Sequence, residues 1–483
     1  MTEVSKEQKD TFYFLVKKVF QNLLPQIQKH IDAGKKIDKH SDYPLRVIHS
    51  EGRWPSTSTT DLFRYQILNE GVNNYSTIIS IKDNSGRVSI DQLIGFKELY
   101  DFVCSNEEIK SRIWYSGQKE DYSIPLFFII GALVDRYITK NNNTIFLEES
   151  FKDIYDQVIN SYFKSKLHLD ICVPILMCEF NEDLIEISEY YSIERMSDEF
   201  IKSKYYIGDY KSFTEKLVLD CATHMLVIKG FMLNNNNYRS YFDLNNLEAY
   251  PIEIINSFFG ALRSCARTPI GYAQIVCRPN NNWIGRETKG NLMGLTGARA
   301  QKYPDAFLNY YWHNQHSIMP CSIKNEVKQL FLQLLSIKSN ALSLAIDRLN
   351  RSVLRNNEED SILDAVIGLE LLLTDNDKGE LTYKISTRMA ALSTLDESIP
   401  YSPFEVKESL KKIYKYRSDI VHSRKPRQET KNIKVNEKVE IEPIELAIDY
   451  LRDAIRILAK YPQYLDVKKI DELIMKKLEG PKS

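Results

Sequence analysis

Residues 404–422 read FEVKESLKKIYKYRSDIVH. Val406, Leu410, Ile413, Ile420 and Val421 recur at helical spacing, so an amphipathic helix is expected to run to about His422. Stretches of the same character surround it. Glu326–Arg351 (EVKQLFLQLLSIKSNALSLAIDRLNR) reads as one long helix, and SILDAVIGLELLLTD from Ser361, LTYKISTRMAALSTL from Leu381 and PIELAIDYLRDAIRILAKY from Pro443 each place apolar residues on one helical face. Five helices with mostly modest connections predict an all-α bundle over 323–475. Ser423–Glu442, rich in charge and poor in apolar residues, is expected to be an exposed loop.

Toward the N-terminus the pattern changes. HLDICVPILMCEF from His168, DLIEISEYYSIERM from Asp183, HMLVIKGFML from His224 and YAQIVCR from Tyr272 are short β-rich runs, and Ile252–Arg263 is helical. Residues 166–322 are therefore expected to form a mixed α/β region. Residues 1–165 read as mostly helical: Ser5–Ala33, Ile90–Cys104, Leu126–Ile138 and Glu149–Tyr162, with His40–Thr60 as loop and Asn141–Thr144 as a connector. The fold class is α+β, multidomain.

Composition narrows the function classes. The 483 residues carry 64 Lys plus Arg against 65 Asp plus Glu, so any site for a polyanion must be a local patch. Ile124–Val134, the longest apolar run, is far shorter than the roughly 20 residues of a spanning helix. The polar start lacks the pattern of a secretory signal, which points to the cytoplasm. Seven scattered cysteines without a CxxC give neither a disulfide framework nor a zinc ribbon. His313 and His316 with Cys321 lack a local fourth ligand, so no metal site and no cofactor are expected. GNLMGLTGARA from Gly290 lacks the Lys-Ser/Thr of a phosphate-cradling loop and reads as a plain flexible loop.

The local patch lies in the opening stretch and just beyond it. Lys411, Lys412, Lys415, Arg417, Arg424, Lys425, Arg427, Lys431 and Lys434 are offset only by Asp419 and Glu429, and Tyr414 and Tyr416 interleave with them. Cations among rings can grip phosphates and stack bases; the bland alternative is a solvated helix end whose cations complement the dipole. Arg417 and His422 are five residues apart, which on an ideal helix leaves them about 140° apart in azimuth and about 7.5 Å apart along the axis. Both can reach one phosphate only if the helix ends near His422 or two chains face each other.

Arg417-x4-His422 on the fourth helix of a C-terminal bundle resembles the Rx4-6H motif of HEPN domains, whose catalytic members are metal-independent ribonucleases. The likeness is closest to the Apea-like HEPN group, in which counterparts of LAIDRLNRSVLRNNEEDSILDAVIGLELLL, KISTRMAAL and YKYRSDIVHS occur in this order. The resemblance implies His422 as general acid/base, Arg417 as stabiliser of the developing phosphorane charge, a 2′,3′-cyclic phosphate product, and a homodimer that gathers both pairs around one cleft. It further implies RNA, such as tRNA or another structured cellular RNA, as substrate, and a toxin-type role in prokaryotic antiviral defence with a phage-derived trigger. Arg424 stands where many HEPN toxins carry a modifiable tyrosine, and Ser418 where some members have Asn. Glu370, inside an apolar run, needs a partner: Arg348 or Arg388 structurally, or Arg417 or His422 functionally. Ser418 and Asp419 are further supporting candidates; Lys411, Tyr414, Lys415, Tyr416, Arg424, Lys425 and Arg427 are the RNA-binding candidates. A noncatalytic RNA- or nucleotide-binding HEPN module is the alternative.

Overall fold

The computed structural model describes residues 3–41, 43–49, 54–59, 71–82, 86–114, 121–208, 212–267, 270–280, 282–308, 319–375, 379–421 and 432–479. The chain divides into two compact units. Unit 1 comprises Met1–Pro174, Glu182–Tyr250 and Ala273–Ala300; unit 2 comprises Ile175–Asn181, Pro251–Tyr272 and Gln301–Ser483. The mostly helical leader thus shares unit 1 with most of the β-rich runs, while the helix from Ile252 belongs with the C-terminal helices.

Unit 1 begins with α1 (Lys6–Asp32), started by a capping box in which Ser5 and Gln8 bond each other's backbone and side chain. Its face of Phe12, Val16, Val19, Leu23 and Ile27 is buried. Pro44–Val47 and Ser56–Thr59 (β1 and β2) form an antiparallel hairpin where the sequence suggested only loop. The strands are short and polar, and Asp220 holds β2 by accepting from the Thr57 amide at 2.8 Å and its hydroxyl at 2.5 Å. A parallel pairing of β3 (Ile79–Ser80) with β4 (Val88–Ser89) follows. The helices α2 (Phe96–Ser105), α3 (Glu107–Ile113), α4 (Ser123–Asn141) and α5 (Glu148–Phe163) then pack with α1 around one apolar core.

The strands β5 (Lys166–Leu176), β6 (Leu184–Glu186), β7 (Tyr191–Arg195), β8 (Ala222–Asn234), β9 (Tyr272–Pro279) and β10 (Thr296–Lys302) form a sheet in the order β10-β9-β5-β8-β7-β6. β5 and β9 run antiparallel, with Cys172 opposite Val276. Near-continuous burial along β5 marks it as central. The end of GNLMGLTGARA is strand β10, not loop; its few apolar side chains gave no alternation, and pairing with β9 makes the strand. Two short helices, α6 (Asp198–Lys204) and α7 (Phe213–Asp220), complete the unit's α-helices among the described residues.

Unit 2 is helical: α8 (Ile252–Cys265), α9 (Cys321–Ser336), α10 (Asn340–Leu354), α11 (Glu358–Leu373), α12 (Leu381–Ser393), α13 (Pro403–Val421), α14 (Pro443–Lys460) and α15 (Val467–Glu479). The single helix expected over Glu326–Arg351 is two, because Ile337 turns extended and Ser339 caps a new helix by accepting from the Leu342 amide. α14 is lined by Leu446, Tyr450, Leu451, Ile455 and Leu458, all buried, and packs against α10, α11, α12 and α13. Within the expected Ser423–Glu442 loop, β11 (Ile433–Lys434) pairs antiparallel with β12 (Glu440–Ile441), and Ile433 and Val435 are buried.

Candidate active site

α13 starts at a capping box: Glu405 Oε2 accepts from the Ser402 amide at 2.7 Å and Ser402 Oγ from the Glu405 amide at 3.3 Å. Val406, Ser409, Leu410, Ile413 and Tyr414 are buried, so this face is docked on the bundle. The burial weakens toward the end: Ile420 is half-buried and Val421 is 49% exposed.

Tyr414 carries the main polar contact on that face. Its hydroxyl donates to Glu370 Oε1 of α11 at 3.0 Å. Burial first, and the adjacent Glu370 carboxylate second, push the phenol well above its usual range, while Arg417 opposes them. The tyrosine thus stays a neutral donor. Arg417 is three residues on, hence over the same helical face. It is half-buried, its Nε is enclosed without a hydrogen-bond partner, and among the described residues no carboxylate pairs with it. Tyr414, expected as a base-stacking candidate, has its tip on Glu370 and only 8% of its surface exposed, so its ring is packed in the bundle.

The structural partners expected of Glu370 are engaged elsewhere. Arg348 pairs with Asp364 at 2.5 Å, and Arg355 Nε lies 2.8 Å from the second oxygen of the same carboxylate. Arg388 bonds Asp375 and Asp471 and the Leu373 carbonyl. Asp360 accepts from Arg355 at 2.7 Å beside the Asn357 cap of α11.

The other candidates scatter around α13. Lys411 pairs with Glu408 at 2.7 Å, Lys412 donates to the Lys434 carbonyl at 2.8 Å, and Lys415 is exposed. Tyr416 is half-buried, and its phenol is raised by burial and then by Glu358, Glu359 and Glu442, so an acidic edge borders the cationic one. Ser418 and Asp419 are half-buried. His422, Arg424, Lys425 and Arg427 lie outside the described residues, as do His313 and His316. No group of three or more His, Cys, Asp or Glu suited to a metal occurs among the described residues, and no described helix is long and apolar enough to cross a membrane.

Sequence reasoning flagged Glu370 from its place in an apolar run but missed Tyr414 as its donor. The signal that could have found it is Tyr414-x2-Arg417, one helical turn on a face that Ile413 and Leu410 already mark as buried. No family model, no curated protein and no solved structure matches the chain.

Proposed function

We propose that residues 323–475 form a HEPN-type bundle and that the protein is a metal-independent endoribonuclease acting as a homodimer. The observation that carries this reading is Arg417: a guanidinium five residues before a histidine, one turn beyond the Tyr414–Glu370 pair, with no carboxylate partner among the described residues. A cation that packing has not neutralised remains available for a phosphate. Arg417 would stabilise charge on the phosphorane, and His422 would move the proton between the ribose 2′-hydroxyl and the 5′-oxygen leaving group. Glu370, through Tyr414, positions the helix face that bears Arg417. The half-buried Ile420 and exposed Val421 extend the apolar stripe to the end of α13 and suit a seam with a second copy. By family habit the substrate is a structured cellular RNA and the setting is antiviral defence, with residues 1–322 sensing the trigger.

The test is end-group analysis of cellular RNA after brief induction of wild type, Arg417→Ala and His422→Ala. Discrete 2′,3′-cyclic phosphate ends are expected from wild type alone, with both variants folded. Undiminished cleavage by both variants would refute the assignment, and salt-dependent RNA binding without turnover would leave the noncatalytic module in its place.

A further inference from the structure

Unit 1 contains a constellation that RNA cleavage leaves unused. Two cavities, of about 660 and 460 Å³, share a wall made by Phe242, Glu287, Thr288 and Lys289. Each lies in the size range of small-molecule sites, roughly 300–1,000 Å³.

The smaller cavity is aromatic. Trp114, Phe127, Phe128, Tyr162, Tyr238 and Phe242 line it together with Arg286. The Arg286 guanidinium lies 4.6 Å from the ring centroids of Tyr162 and Tyr241 and 5.0 Å from that of Tyr238. Its Nη1 donates to the Tyr238 carbonyl at 2.7 Å and its Nη2 to the Ser161 carbonyl at 2.9 Å. Arg286 is 9% exposed, its Nε has no hydrogen-bond partner, and among the described residues no carboxylate pairs with it. Asn235 Oδ1 adds a contact at 3.3 Å, so the guanidinium is held by carbonyl oxygens and ring faces with no counter-ion among the described residues, a costly burial.

A buried pair also lines this cavity. His40 Nε2 lies 2.8 Å from Asp135 Oδ2, which accepts from the Gly290 amide at 2.7 Å, while Asp135 Oδ1 accepts from the Tyr75 amide at 2.9 Å. Gly290 has φ +58°, and a Cβ there would meet Val72 Cγ1 at 3.2 Å, so the bend after Lys289 calls for glycine. The wall is thus preformed.

The larger cavity is mixed, with Leu292, Met293 and Leu295 beside its polar groups. Ser203, Tyr206, Asn245, Thr296 and Arg299 line it, and the Lys289 ammonium stands 3.9 Å from the Tyr206 ring centroid at the shared wall. Arg299 is ion-paired with Glu215, so flat faces in one chamber, with hydroxyls, an amide and the Lys289 ammonium in the next, match a heteroaromatic ring joined to a polar, anionic tail. Glu287 lies in the shared wall, where its carboxylate would accept from a base amino group or a ribose hydroxyl and disfavour a bare polyanion.

We propose that unit 1 binds a small nucleotide, its base between the aromatic walls of the Trp114–Phe242 chamber and its sugar-phosphate toward Lys289. The proposal is independent of the ribonuclease reading.

Calorimetry and thermal melting of the whole chain with ATP, GTP, NAD and adenosine, and with inorganic triphosphate as the charge-only control, test it. At least one nucleotide is expected to bind and to raise the melting temperature. Ala132→Phe, which fills the aromatic chamber without removing a hydrogen bond, should weaken that binding about tenfold or more, the scale of a lost stacking contact. Phe128→Ser, at a side chain 61% exposed, should weaken it while leaving the unliganded melting temperature in place. Triphosphate binding as well as the nucleotides, no nucleotide binding at millimolar concentration, or a folded Ala132→Phe that binds like wild type would each overturn the proposal.

Discussion

Tyr414 couples the bundle's packing to the proposed chemistry through one hydrogen bond of 3.0 Å to Glu370. Tyr414→Phe keeps the ring and strands the carboxylate, so the chain should lose about 1–2 kcal/mol of stability in urea, the cost of leaving a part-buried acceptor unmet. Cleavage should fall as well, because the face bearing Arg417 loses its anchor, whereas a purely structural bond would change stability alone. In unit 1, Lys204 is 1% exposed, and burial lowers its ammonium from the ordinary 10.5 to about 8. It donates to the Leu219 carbonyl at 2.8 Å, with Asp220 opposing the shift. Below about pH 8 both folded and unfolded chains hold this proton, and the burial penalty applies in full. As pH rises from about 8 toward 10.5 the folded chain releases it first, so this group's penalty shrinks and its contribution to stability rises. Denaturation of wild type against Lys204→Met across that window should show the difference in wild type's favour growing with pH; a flat difference would refute the assignment.

At the scale of elements, α11 packs closely on α14 at Gly368, where a Cβ would lie 2.7 Å from Leu451 Cδ2 and 3.3 Å from Arg348 Cβ. Leu451 is fully buried and cannot swing into solvent. Gly368→Val should therefore cost about 1–3 kcal/mol by overpacking, measured as a lower urea midpoint at unchanged slope. The break at Ile337–Ser339 shows what periodicity misses. Apolar spacing continues through LLSIKSNALSL, so the stretch reads as one rod, yet a serine side chain bonded to the Leu342 amide starts a second helix with its own direction. The β1–β2 hairpin and β10 escaped notice for the converse reason. Their polar or small residues gain strand geometry from Asp220 and from β9, which are distant in sequence.

For the whole molecule, the near balance of charge leaves function to local groups, and the proposed chemistry predicts that cleavage persists in excess EDTA. Loss of activity on chelation, restored by a divalent ion, would exclude it. The helical segments of unit 2, the central strands and the Arg417–His422 spacing were legible in the sequence, because amphipathic period and motif spacing are local properties of the chain. The partner of Glu370 was not, since Arg348, Arg388, Arg417 and His422 were the candidates, while packing gave Arg348 and Arg388 to Asp364, Asp375 and Asp471 and brought Tyr414 to Glu370. Nor was the Arg286 cage, whose rings come from residues 162, 238 and 241, without any spacing that announces them. Sequence by itself determined which segments bury an apolar face; the tertiary structure alone decided which polar groups meet, because burial penalises an unpaired polar group and distance along the chain does not say which partner it finds.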